Sequence, residues 1–284
     1  MDISLLKKLY QENRFRPDKR LGQNFMVDAN IRKNILKALP VDYDTRLVEI
    51  GPGFGVMTFD LADMVREVTA VEKDSRLCDI MSPYYREKGN ICLVHADFLD
   101  VPLGGLDAGG AGLFVFGNIP YYITTPIIEK VIRERAHVSG LYMVIQEELA
   151  DRLVAAPGSR TYGSISCFVR FYAHVRKLFR IKKNSFFPRP DVPSCLIGLD
   201  IREEPAVRVG DEQAMFHIIR TAFGQRRKKA VNPLSASGMG GLGRGEWLEL
   251  FSTADIDPAS RAEAISLREY ARLTDAFLEM AREG

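Results

Sequence analysis

The feature that most limits what this chain can fold into is a series of short apolar runs. Each run ends on a glycine or a polar residue, and a helix-like stretch leads to the next. Residues 47–50, 67–71, 90–94, 112–116 and 141–145 are such runs. The stretch 28–39 shows the other period, with Ile31, Ile35, Leu36 and Leu39 on one helical face. A strand that is apolar at nearly every position has both faces covered, and strands alternating with helices connect in parallel. The pattern predicts an α/β fold built on a doubly wound, Rossmann-like sheet. Ligands of such sheets sit outside the carboxyl ends of the strands. The residues at those ends are therefore the first candidates for function.

Gly51-Pro52-Gly53-Phe54-Gly55 follows the first run, where glycines let the backbone pass close to a ligand before a helix starts. Glu72 ends the second run, placed to accept hydrogen bonds from ribose hydroxyls. Both features suit NAD and S-adenosylmethionine equally. Two details favour S-adenosylmethionine. The turn is G-x-G-x-G, with no pyrophosphate cradle. Asp97 follows the third run and precedes Phe98, so that an acid can accept an adenine amino group while a ring packs on the base. The fourth run leads into Asn118-Ile119-Pro120-Tyr121. An asparagine oxygen and a backbone carbonyl can accept both hydrogens of an exocyclic amino group, and Tyr121 can stack on the ring that bears it. Pro120 fixes φ and removes a donor, which is expected to turn the carbonyls outward. Such a turn suits the modification of a nucleobase.

After residue 150 the pattern changes. Residues 165–172 read as a helix, and 175–181 and 195–201 as strands joined by the proline-rich loop 186–190. Beyond about 203 the chain reads as helices, with Asp211 capping one and Ser266-Leu267-Arg268-Glu269 opening the last. Two domains are expected, residues 1–203 and a smaller all-helical domain, 204–284. Residues 1–25 read as a polar, basic, partly ordered arm, and 237–245 as a flexible glycine-rich loop. Net charge is only +2, but the cations are gathered. Seven Lys or Arg and no acid lie between Cys167 and Pro190, and six with no acid between Gln213 and Gly245. The first twenty residues add six cations against three acids. That distribution fits a polyanion partner. Arg226, Arg227, Lys228 and Lys229, four cations in a row, are the sharpest candidates for phosphate contact. The four cysteines and four histidines are scattered, so no metal site is expected, and the cysteines suit a reducing cytoplasm. No apolar run approaches the ~20 residues that span a bilayer.

Taken in order, these motifs resemble the KsgA-type small-subunit (16S) ribosomal RNA adenine-N6 dimethyltransferases. The matching stretches are Leu21-Gly22-Gln23-Asn24-Phe25, Val48-Glu49-Ile50-Gly51-Pro52-Gly53, Glu72, Asp97, Gly117-Asn118-Ile119-Pro120-Tyr121 and Tyr162-Gly163. They continue with Phe186-Phe187-Pro188-Arg189-Pro190, Phe223-Gly224-Gln225-Arg226-Arg227-Lys228, and Asp257-Pro258 with Arg261-Ala262-Glu263. The late motifs fit the small-subunit branch better than the macrolide-resistance branch that acts on large-subunit rRNA. The resemblance implies an S-adenosylmethionine-dependent methyltransferase sheet whose last strand, 195–201, is reversed. It implies cofactor contacts at Asn24, Met26, Gly51, Gly53, Glu72, Asp97, Phe98 and Asn118. Asn118, Pro120 and Tyr121 would hold the target adenine, with Phe186 closing on its other face. The implied substrate is a pair of adjacent adenosines in a hairpin loop near the 3′ end of 16S rRNA, within pre-assembled small ribosomal subunits. A monomer with no membrane partner and no metal is expected. Tyr122, where relatives often carry a smaller polar residue, and the segment 230–245 depart from the family pattern. A non-catalytic assembly factor on the same fold and an NAD oxidoreductase are the alternatives.

Overall fold

The computed structural model describes residues 3–18, 21–107, 109–110 and 112–283. Lys19 and Arg20, two of the cations counted in the amino-terminal patch, lie outside the described residues. In chain order the elements are α1 (Ile3–Glu12), β1 (Phe25–Met26), α2 (Ala29–Ala38), β2 (Arg46–Ile50), α3 (Thr58–Ala62), β3 (Glu67–Glu72), α4 (Ser75–Lys88) and β4 (Ile91–His95). They continue with β5 (Leu113–Asn118), α5 (Thr124–Arg133), β6 (Val138–Gln146), α6 (Glu147–Val154), α7 (Ser164–Tyr172), β7 (Ala173–Ile181), β8 (Phe186–Phe187) and β9 (Ser194–Ile201). Four helices close the chain: α8 (Glu212–Phe223), α9 (Val231–Ala236), α10 (Arg244–Thr253) and α11 (Leu267–Glu283).

The chain forms two compact units, residues 1–150 with 176–201, and 151–175 with 202–284. The expected single boundary at 203 is thus displaced, because 151–175 groups with the carboxy-terminal helices. The reason is aromatic packing that periodicity cannot reveal. Phe168 and Phe171 of α7 meet Phe216 of α8 edge-on at 5.3 and 5.2 Å, and Tyr172 stacks on it at 5.8 Å.

The first unit holds a seven-stranded sheet of order β4-β3-β2-β5-β6-β9-β7. β2 runs parallel to β3 and β5, β3 to β4, and β5 to β6. β9 is antiparallel to β6, the reversed strand that the resemblance implies. β1 and β8 form a separate antiparallel ribbon, pairing Phe25 with Phe187 and Met26 with Phe186. The arm expected at the amino terminus is structured. It contains α1, and Leu9 and Phe15 join the buried core with Phe25 and Phe54. Phe15 and Phe25 meet Phe54 edge-on at 5.0 and 5.1 Å, the T-shaped geometry that aromatic quadrupoles favour. Its polar residues had masked two apolar anchors.

In the second unit, Trp247 of α10 stacks on Phe277 of α11 at 5.6 Å. The expected capping box forms: Glu269 N–H donates to Ser266 Oγ, and Ser266 N–H to Glu269 Oε2. The helix α9 is absent from the sequence reading, since its six residues hold a proline and end in serine and alanine. The stretch 237–245 contains a 3₁₀ turn over Met239–Gly241.

Candidate active site

Register brings the predicted strand ends side by side. Ile50 pairs with Val71 and Gly117, and Glu72 with His95. The ladders run one residue further, through Gly51 N–H to the Val71 carbonyl at 2.9 Å and Ala96 N–H to the Glu72 carbonyl at 3.0 Å. Gly51, Glu72, Asp97 and Asn118 therefore stand along one edge. With Asn24, Met26, Gly53, Phe98 and Pro120 they line a single cleft. Every residue expected to touch the cofactor is in that lining. Gly51 has φ +64°, a left-handed backbone, and a Cβ built on it would meet nothing within 4 Å. The space over its backbone is open, which is what close approach of a ligand requires.

Two buried carboxyls face this cleft, and their surroundings set them apart. Glu72 accepts Asp74 N–H at 2.8 Å on one oxygen and Gly53 N–H at 3.1 Å on the other. Burial raises its carboxyl above the usual range, while those two donors pull the other way. Glu49, one strand over, is 3% exposed, and its Oε2 has no hydrogen-bond partner among the described residues. Burial pushes it up to about 8; the Thr58 hydroxyl opposes the shift and the charge of Glu72 adds to it. With the donors on Glu72 and the orphan oxygen on Glu49, the proton belongs on Glu49. Glu49 was not among the predicted site residues. The signal was available in the sequence, as a lone acid inside the apolar run 47–50.

At the next strand end, both Asp97 oxygens are engaged. Oδ1 accepts Leu99 N–H at 3.0 Å, and Oδ2 accepts the Lys73 ammonium at 2.6 Å. Partial burial raises the Asp97 carboxyl, but these bonds outweigh it and hold the group below the usual carboxylate range. Lys73, also unpredicted, lines the cleft with a side chain 54% exposed. The Phe98 ring is buried, and the Lys130 ammonium stands 5.7 Å from its centroid.

The Asn118 side chain has a fixed orientation. Its Nδ2 donates to the Asn24 carbonyl at 2.8 Å, which settles Oδ1 as the acceptor atom at the other end of the amide. The Pro120 carbonyl, expected to point outward, closes the following turn instead. It accepts Ile123 N–H at 3.2 Å and the Thr124 hydroxyl at 3.4 Å. Tyr121 opens that 3₁₀ turn, but its ring lies outside the described side chains. Phe186 is not in the cleft lining. It is buried in the core, its Cα opposite Met26, and Phe187 is the exposed ring of the pair. Tyr122 lines the cleft and keeps 59% of its surface in solvent.

A profile described as Ribosomal RNA adenine dimethylase matches residues 14–278 of this sequence. The chain belongs to the ribosomal RNA adenine dimethylase family. It is 36% identical to the Ribosomal RNA small subunit methyltransferase A of Pelotomaculum thermopropionicum, over 97% of this chain and 96% of that one. It is 37% identical to the protein of the same name from Bacillus pumilus, over 95% and 94%. Among solved structures, a dimethyladenosine transferase from Plasmodium falciparum superposes with a TM-score of 0.78 at 20% identity, covering 92% of this chain and 98% of the other. The 23S rRNA methyltransferase ErmE does so with 0.68 at 22% identity, covering 89% and 98%. These two likenesses establish the methyltransferase fold.

In this dimethylase the four expected RNA cations divide by environment. Arg226 is spoken for within the second unit. Its Nη2 donates to the carbonyls of Arg160 at 2.8 Å and Tyr162 at 3.0 Å, and lies 3.3 Å from Glu263 Oε2. Arg227, Lys228 and Lys229 are exposed, and Lys229 pairs through a backbone bridge with Arg261. Among the described residues, no group of three His, Cys, Asp or Glu side chains gathers as a metal ion would need. Among the same residues, no helix is long and apolar enough to cross a membrane.

Proposed function

We propose that the chain uses S-adenosylmethionine to put two methyl groups on N6 of each of two adjacent adenosines, in a hairpin loop near the 3′ end of 16S rRNA. It acts as a cytoplasmic monomer on pre-assembled small ribosomal subunits. Membership of the family makes it an rRNA adenine dimethyltransferase, and the names of the curated relatives point to the small subunit. The observation that carries the reading is the set of Asn118, a cleft residue whose amide is oriented by the bond from Nδ2 to the Asn24 carbonyl.

The cleft fits the cofactor on its own chemistry: open space over Gly51, a backbone-held carboxylate at Glu72, and an unpartnered buried oxygen on Glu49. When bound, S-adenosylmethionine supplies an electrophilic methyl group. Glu72 would hold the ribose, Asp97 and Phe98 the adenine, and Asn24, Met26, Gly51 and Gly53 the walls. The target N6 lone pair is delocalised into its ring and is a poor nucleophile. Asn118 Oδ1 accepting one N–H, and the Pro120 carbonyl accepting the other in place of the Thr124 hydroxyl it holds here, would shift N6 toward sp³ and aim the lone pair. No strong base is needed, because the amine becomes acidic once methylated. The catalysis is positioning and electrostatics. Tyr121 would stack on the flipped base, and Phe186 on its other face after leaving the core position it holds here. Arg227, Lys228 and Lys229 would contact RNA phosphates, and Arg226 would shape the surface they stand on.

The test is methyl transfer from radiolabelled S-adenosylmethionine to small-subunit particles lacking the modification. Label confined to two adjacent adenosines of 16S rRNA is expected. Label on large-subunit RNA would move the chain to the macrolide-resistance branch. Intact cofactor binding without transfer would make it a non-catalytic assembly factor.

A further inference from the structure

Phe187 is a large apolar side chain held half in water. It keeps 50% of its surface exposed, while its neighbour Phe186 is buried. The cause is the strand: successive side chains of β8 point to opposite faces, so burying one ring turns the next outward. Phe187 pairs with Phe25, and Phe25 and Met26 line the cleft, so the exposed ring stands on the ribbon that walls the site. Tyr10 meets it edge-on at 5.7 Å and 73°, which fixes the ring without covering it. Cations flank it. Lys182 and Arg189 are exposed, Lys183 donates to the Asp191 carbonyl and ties the ends of the loop, and no acid occurs from Cys167 to Pro190.

We infer that Phe187 is a stacking platform for the unpaired nucleotide next to the target adenosine, with Lys182 and Arg189 on the flanking phosphates. The inference rests on the adenosine reading above. A base drawn out of its stack leaves its neighbour unstacked as well, and an exposed ring set among cations is the chemistry that holds single-stranded nucleic acid. Tyr122, a further exposed ring among the described residues, lines the cleft itself and belongs to the target's rim.

The test uses small-subunit particles reconstituted with 16S rRNA carrying either adenosine or an abasic ribose beside the target. Wild-type protein should bind the abasic particles about tenfold more weakly. Phe187→Ala should bind adenosine particles about tenfold more weakly than wild type and show no further loss on abasic ones. Phe187→Tyr should restore both affinity and sensitivity. Cofactor affinity should stay at the wild-type value in both variants. An alanine variant that keeps wild-type affinity, that still responds to the abasic change, or that loses cofactor affinity in proportion would overturn the inference. Failure of the parent reading looks different: wild-type protein would transfer no methyl group to either particle.

Discussion

Replacing Glu49 with glutamine should stabilise the protein, and by more as the pH rises. The carboxyl titrates near 4.5 when unfolded and near about 8 in the folded cleft, chiefly through burial. Below pH 4.5 both states hold the proton and carry no penalty. Between about 4.5 and 8 the unfolded chain gives up its proton while the folded chain keeps it, so unfolding grows more favourable with each pH unit. Above about 8 the folded protein ionises too, and the penalty levels off. At about 1.4 kcal/mol per unit, the penalty is about 3 kcal/mol at pH 7 and about 5 kcal/mol on the plateau. Glutamine has nearly the same volume and does not titrate, so its own burial cost is constant with pH. Urea denaturation of Glu49→Gln and wild-type protein without cofactor, from pH 5 to pH 8.5, measures the difference. It should widen by about 4 kcal/mol between pH 5 and pH 8 in favour of the variant. A difference that does not change with pH would mean that Glu49 is already ionised in the folded cleft, and the assignment of the proton would fall.

Three other perturbations probe the rest of the site. Asn118→Ala should lower kcat by about 100- to 1,000-fold, as for a lost transition-state hydrogen bond, with cofactor affinity little changed; steady-state methyl transfer that keeps wild-type kcat would remove Asn118 from its role. Lys73→Met frees the Asp97 oxygen that the ammonium occupies at 2.6 Å, so calorimetry should find cofactor binding severalfold tighter at low salt, an advantage that fades as salt screens the pair. Weaker binding would show instead that Lys73 supports the adenine site. Arg226→Ala should cost about 1 kcal/mol of stability, because its carbonyl partners lose a charged donor that is half exposed. Arg227→Ala should leave stability unchanged and flatten the salt dependence of particle binding by about one unit of slope; filter binding and thermal unfolding of both variants decide between the two roles.

The parts of this fold that the sequence shows are those whose physics is local. A parallel strand covered on both faces has to be an apolar run, so the runs, and with them Glu72, Asp97 and Asn118 at their ends, could be read directly. Helix caps at Asp211 and Ser266 were legible for the same reason, since each satisfies donors a few residues away. What stayed hidden depends on partners far along the chain. The Phe25–Met26 ribbon is two residues long and pairs with a segment some 160 residues later, too short for any period to show. Arg226 reads as one of four equivalent cations until the carbonyls of Arg160 and Tyr162 arrive from another part of the second unit.

The Asn118 amide shows how the two kinds of information combine. The Asn-Ile-Pro-Tyr turn supplies the acceptor, but an asparagine free to rotate would present oxygen and nitrogen to the cleft alternately. Nitrogen there would meet the donor hydrogens of an amino group with another donor. The Asn24 carbonyl, 94 residues earlier, removes that ambiguity by binding Nδ2. Asn24 is itself held in place, with its side chain donating to the Gly22 carbonyl at 3.0 Å and the adjacent Gln23 donating to Asp74 at 2.9 Å. Asp74 in turn gives its N–H to Glu72, the acid expected at the ribose. The Gly-Gln-Asn-Phe and Asn-Ile-Pro-Tyr motifs are thus one hydrogen-bonded assembly that joins Glu72 to Asn118, the ends proposed for cofactor and target. Replacing Asp74, which lies outside the cleft lining, should therefore reach the orientation of the Asn118 amide through Gln23.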